Sequence, residues 1–430
     1  MGKKERAEAA QKQKEQKKLE RKTTAAQNDT TLPVLAVMVV ISIGLVMFSN
    51  VVFQSATEGR AHFSARILCF ILLESGLTTL FSILLLQPAR AAVSLLPSGE
   101  AATSDGPQPW GPTDAETASN EEPPILHWPH AADLARLPAD WTKAAVGKKR
   151  PYFLNHVRGS TRLIAAAMRV GQAAGSLCNV AVLSLLLDRR PVAALGIVPG
   201  ASATFFQDLG TGVAVGVGLI SALTAVELQL GWVRRLGWFE VADPSESFGL
   251  NLLIDCTFHA AVAINEELPL RGWLLLNTAE ASAAHFGLGR AASLLCAVLA
   301  ESVVFAALHA GSPGASRLGL LNLTLGGCAA ALNVLLTGSL AFSLGWHWGW
   351  NITMGNLFGR STSGIPISAT LLSVAPHPSK AHLHGGTFGP EGGPLAPVAY
   401  VVGMVTLYLI YGTSRFGQVH EAFPFLANAA

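Results

Sequence analysis

Residues 248–284, FGLNLLIDCTFHAAVAINEELPLRGWLLLNTAEASAA, decide the fold. The run is longer than a core helix needs, since about 20 apolar residues already cross a hydrocarbon layer about 30 Å thick. Near its middle stand Glu266, Glu267 and Arg271. An ionisable side chain at bilayer depth costs about 2.5–3.5 kcal/mol on insertion scales, so residues of this kind are candidates for a site.

Working outward, apolar runs of the same kind cover 33–54, 67–87, 163–187, 209–231, 289–309, 318–336, 338–358 and 394–412. Half of the 430 residues are hydrophobic and only 13% are charged, a composition that belongs in lipid. None of the runs alternates polar and apolar residues with the period of two that an outer-membrane strand requires. The expected architecture is all-α, a polytopic transmembrane helical bundle of about nine spans.

The chain divides by composition. Residues 1–32 form a basic tail, with nine Lys or Arg and four Glu in the first 22, and the positive-inside bias puts it in the cytosol. It is read as a solvated arm rather than a binder of anionic lipid or RNA. It has neither the short apolar core nor the small-residue cleavage site of a secretory signal, so the first span is expected to be an anchor. Residues 33–87 make an N-terminal hairpin. Residues 88–160 are a polar linker rich in proline, among them Pro97, Pro107, Pro109, Pro112, Pro123, Pro124, Pro129 and Pro138. That composition resists both helix and core formation. The main bundle occupies 161–415, and 416–430 is a C-terminal tail. Cys69, Cys178, Cys256, Cys296 and Cys328 all fall in spans without a Cys-x-x-Cys spacing, which suits small packing residues rather than disulfides or a thiolate metal site.

Three polar clusters stand inside these runs: Glu266-Glu267 with Arg271, Phe305 with His309, and His347 with Asn351. Glu267 and Arg271 are four apart on a helix and share a face, so they can pair, while Glu266 points about 100° away and stays available to water, a metal or a proton. Pro269 between them removes a backbone donor and tends to kink the helix. Phe305 and His309, like His347 and Asn351, are one turn apart. With a turn near 285–288, Glu266 and His309 are each about 20 residues from it, about 30 Å at 1.5 Å per residue, so they can meet at one depth. Other polar groups read as structure: Asp255, His259 and Glu266 as a stripe of local packing, Glu74 and Arg169 as snorkelling or interhelical contacts, and His377, His382 and His384 as a solvated loop.

Taken together, a Glu, two His and an Asn supply a base for water, a second proton carrier and donors for a developing oxyanion, which peptide hydrolysis requires. Buried carboxylates and histidines can also relay protons in a transporter. Glu266-Glu267-Leu-Pro-Leu-Arg271-Gly272, Phe305-Ala-Ala-Leu-His309 and His347-Trp-Gly-Trp-Asn351 resemble, in order, the Glu-Glu-x-x-x-Arg, Phe-x-x-x-His and His-x-x-x-Asn/Asp motifs of the CAAX protease and bacteriocin-processing (CPBP, or Abi) family. The segment Gly385–Gly393 is similar to a glycine-rich stretch found after the third motif in bacterial members, and the resemblance spans about 161–415. Leu270, where the family usually has Phe, and Pro269 depart from the pattern.

The resemblance implies a CPBP-like core and an intramembrane endopeptidase, with membrane lipid and a membrane-associated or prenylated CAAX-type peptide as partners and no nucleic acid. It implies that Glu266 and His309 activate water, that His347 and Asn351 hold the oxyanion, and that Glu267, Arg271 and Phe305 support the site. It leaves open a metalloendopeptidase in which Glu266, His309 and His347 bind zinc, so the cofactor is either none or Zn. A scaffold or assembly factor that keeps the fold without catalysis is the competing expectation, followed by the transporter.

Overall fold

The computed structural model describes residues 63–95, 157–196 and 203–412, so the expected span 33–54, both tails and residues 96–156 of the linker lie outside the described residues. In chain order the helices are α1 Phe63–Leu95, α2 Gly159–Leu186, α3 Ala203–Gln229, α4 Phe248–Glu267, α5 Leu275–Phe286, α6 Arg290–Leu308, α7 Arg317–Thr337, α8 Ala341–Ile352, α9 Ala381–His384 and α10 Ala396–Tyr411. Among the described residues six stretches are long and apolar enough to cross a membrane: Arg66–Val93, Gly159–Leu186, Thr204–Gln229, Phe248–Phe286, Arg290–Leu308 and Arg317–Thr337.

Three boundaries differ from expectation. α1 runs on through Pro88 to Leu95, because the Ala-Arg-Ala-Ala that follows the proline favours helix. The 338–358 run begins with Gly338 in a left-handed turn and yields only a 12-residue α8, extended by π-helical Thr353–Leu357. The 394–412 run gives the 16-residue α10, about 24 Å long and short of a hydrocarbon layer.

The 248–284 stretch is a continuous helix 39 residues long over Phe248–Phe286. Ser247 caps its start by accepting from Leu250 N–H, and Gly287 ends it with φ +61°. At Pro269, which has no N–H to give, the helix widens instead of breaking. Leu268–Leu274 are π-helical, with Leu275 N–H reaching back to Leu270 O.

α8, which carries His347 and Asn351, is set by close backbone approach to α3. A methyl added at Gly345 would lie 2.1 Å from Leu209 O, and one at Gly212 would lie 2.2 Å from Phe342 O. Only glycine permits that contact, the small-residue packing by which helices associate where lipid removes the hydrophobic driving force. On the other flank, Trp350 stacks on Tyr400 of α10 with centroids 4.9 Å apart.

Two antiparallel strands, β1 Val233–Val241 and β2 Ala369–Pro376, were not expected. Each is short and joins spans, and their pairing is non-local, so no turn signal announces it. The histidine segment beyond β2 is likewise ordered: His382 is exposed and His377 half-buried, but His384 is fully buried. His384 Nε2 donates to His377 O at 2.9 Å, leaving Nδ1 to accept from Gly386 N–H, and Arg360 donates to His384 O at 2.7 Å. The solvated-loop reading therefore gives way to a pinned turn. Burial, helped by the Arg360 charge, pushes the His384 ring down from 6.5 to about 4. The unfolded ring protonates before the folded one, so its contribution to stability is present above pH 6.5 and is lost as pH falls toward 4. Thermal unfolding at pH 7 and at pH 4.5 should show a smaller acid loss in His384→Gln than in the parent, and an equal loss would rule this histidine out as a source.

Candidate active site

Glu266 and Glu267 close α4, one turn before Arg271 in the π-helical segment. His309 caps α6, and His347 and Asn351 stand on α8 just before a second π-helical turn, Thr353–Leu357. Both helices widen directly beside their polar residues, a place where π turns often accompany function. The structure brings all three clusters together.

Glu267 is buried and makes three bonds. Its Oε1 accepts from Arg271 Nη1 at 3.3 Å and from His347 Nδ1 at 2.8 Å, and its Oε2 accepts from Ser343 Oγ at 2.6 Å. An ionised carboxylate only accepts, so His347 Nδ1 carries a hydrogen and Nε2 is turned away from Glu267. His309 Nδ1 lies 2.9 Å from Phe305 O, a carbonyl that also only accepts, so its Nε2 too is left for the site. Both Nε2 atoms stand 3.8 Å from one oxygen, Glu266 Oε2.

Phe305 joins these parts. The Arg271 guanidinium lies 4.4 Å over its ring, while the His309 and His347 rings pack against it at 4.8 and 6.5 Å. Arg271 also faces Glu301, with Nε 3.1 Å from Oε2, so one buried cation answers two buried carboxylates. Glu301 was missed in the sequence although it stands four residues before Phe305 and eight before His309. Its place on the same helical face was the available signal.

Ser343, four before His347, was missed in the same way. Glu391, in the glycine-rich segment, is a third. It accepts from Trp350 Nε1 at 3.2 Å and from Ser363 N and Oγ at 3.0 and 2.6 Å, and lines the site from outside the three motifs.

Two cavities meet at Phe305, His347, Asn351 and Glu391. The smaller, about 30 Å³, also contains Glu266 and His309. A water needs about 10–15 Å³, so it has room for a nucleophile but not for a peptide. The larger, about 60 Å³, extends past Glu267 and Arg271 toward α7 and α10.

The expected packing residues divide. Asp255 accepts from Arg162, Asn356, Ser368 and the Ala369 N–H and takes no part in the site, whereas His259 of the same stripe lines the smaller cavity. Glu74 is an interhelical contact, accepting from Ser176 and from Asn179 Nδ2 at 2.7 Å, and Arg169 donates to Gln172.

Zinc can be tested on the donors themselves. Glu266, His309 and His347 are suitable in kind, with each Nδ1 held as a metal-binding histidine's would be. Their spacing is wider than needed: ligands about 2.0–2.1 Å from tetrahedral zinc stand about 3.4 Å apart, not 3.8 Å. Among the described residues no three His, Cys, Asp or Glu side chains are gathered as metal ligands.

A model of the type II CAAX prenyl endopeptidase Rce1-like family matches residues 250–353. That stretch of the chain is similar to the CAAX prenyl endopeptidase family. That segment holds Glu266, Glu267, Arg271, Phe305, His309, His347 and Asn351, while α1 to α3, Glu391 and α10 lie outside it. No curated protein and no solved structure matches the chain. With six helices among the described residues long and apolar enough to cross a bilayer, the chain is a multi-pass membrane protein.

Breaking a buried ion pair by removing one partner typically costs about 3–5 kcal/mol. Arg271→Met should destabilise the detergent-solubilised protein on that scale, since it strands both Glu267 and Glu301. Adding Glu301→Gln should recover part of the loss, and a neutral single variant would show that the triad does not hold the site.

Proposed function

We propose that the protein is an intramembrane endopeptidase that hydrolyses a peptide bond of a membrane-associated substrate of the prenylated CAAX type. The observation that carries this reading is Glu266 Oε2 facing two imidazole Nε2 atoms at 3.8 Å in a cavity sized for water. A water can bridge Glu266 and His309 at ordinary hydrogen-bond lengths of about 2.8 Å.

Glu266, as base, takes a proton while the water oxygen bonds to the scissile carbonyl carbon. His309, with Nδ1 fixed on the Phe305 carbonyl, keeps Nε2 aimed at the same water. The carbonyl electrons move to oxygen, where Asn351 Nδ2–H donates, joined by His347 Nε2–H when that ring is protonated opposite Glu267. Collapse then breaks the C–N bond, and the proton held by Glu266 passes to the leaving amine. Glu267, Arg271, Ser343 and Phe305 position the histidines and touch no reacting atom. The Rce1-like match supports the substrate class, and the location of the site among membrane helices supports a lipid-associated substrate.

The mechanism runs without a metal. Purified protein should cleave a prenylated CAAX peptide in the presence of a strong zinc chelator. Asn351→Ala should slow turnover by about 10²–10³ while remaining folded, the usual effect of losing one oxyanion donor. Chelator-sensitive cleavage restored by added zinc would overturn the water-base assignment, and near-normal turnover by Asn351→Ala would remove Asn351 from the oxyanion role.

A further inference from the structure

The larger cavity contains a group that this chemistry leaves unused. Leu323, Gly326, Ala330 and Asn333 recur at steps of three and four, so they share one face of α7, and that face lines the cavity opposite His347 and Asn351. Asn333 is fully buried, and neither its Nδ2 nor its Oδ1 has a hydrogen-bond partner among the described residues. Buried side-chain amides are paired in nearly all folded proteins, so an orphan carboxamide on a cavity wall calls for a ligand group.

That group must accept from Nδ2–H and donate to Oδ1. A second carboxamide does both at once. The size agrees: about 60 Å³, at about 10–15 Å³ per water-sized group, holds roughly four to six non-hydrogen atoms. An asparagine side chain has four and a glutamine side chain five. Leu323, Ala330 and Trp346 provide apolar walls for the methylenes. Position 326 is glycine because the Tyr400 ring packs directly on it: a methyl there would stand 2.9 Å from the ring, so any larger residue would push Tyr400 into the cavity it also lines.

We propose that this cavity is a side-chain subsite in which Asn333 selects a glutamine or asparagine of the substrate peptide through paired amide hydrogen bonds. The inference rests on the endopeptidase reading and adds to it which peptides the site prefers. A site that hydrogen-bonds a polar side chain rejects an apolar analogue because its own buried donors are left unpaired.

The test uses the full-length protein and prenylated CAAX-type peptides carrying either Gln or Leu at each position after the prenylated cysteine. At one position Gln should raise kcat/KM about 10-fold or more over Leu, the scale of two net hydrogen bonds. The near-isosteric Asn333→Leu should abolish that preference chiefly through KM, whereas a residue of purely structural importance would depress both peptides alike. The wild-type comparison stands even if the variant folds poorly. Binding of the same peptides to Glu266→Gln keeps the subsite testable apart from catalysis: tighter binding of the Gln peptide, lost when Asn333→Leu is added, supports it even if no peptide is cleaved. Equal use and equal binding of Gln and Leu peptides, or a Gln preference that survives Asn333→Leu, would overturn the proposal and leave ordered water as the partner of Asn333.

Discussion

Arg271 lies between Glu267 and Glu301, all three buried, and the geometry of the site depends on that contact. Without the guanidinium, Glu267 would be a carboxylate stranded in a low-dielectric interior; with it, Glu267 stays an acceptor and fixes the His347 ring through Nδ1. The same guanidinium packs over Phe305, whose carbonyl fixes His309. One buried cation thus orients both histidines, and both present Nε2 to Glu266. The two adjacent glutamates have different surroundings: Glu267 is held by Arg271, Ser343 and His347, and Glu266 faces the two Nε2 atoms.

The surrounding helices convert that local arrangement into a stable position in the bundle. α8 is held against α3 by glycine-mediated backbone contact, which leaves little freedom for His347 and Asn351 to shift. The long helix carrying Glu266 and Arg271 accommodates Pro269 by widening into a π turn, which keeps both halves in one span while turning Arg271 toward Glu301. Glu391 closes the site from a turn beyond the matched family segment, tied to Trp350 and Ser363.

Much of this was legible in the sequence because lipid makes polar residues conspicuous. Glu266, Glu267, Arg271, His309, His347 and Asn351 stand out against apolar neighbours, and their helical spacing already placed each pair on one face. Glu301 and Ser343 stand on the same helical faces but lie outside the short motifs. The two strands, the buried His384 and Glu391 were less accessible: each depends on pairing between distant segments, which neither periodicity nor local propensity encodes. Apolar composition continues beyond the ends of α8 and α10, so it overstates the length of both helices.

Glu266 is proposed as the base for a water that it shares with His309, a role in which the charge of the carboxylate matters and its shape does not. Reconstituted protein should therefore cleave a prenylated CAAX peptide, and Glu266→Gln, which keeps size and hydrogen bonding but cannot take a proton, should yield no product by mass spectrometry while binding the peptide normally. Product formation by Glu266→Gln at a rate close to the parent's would show that Glu266 is not the base.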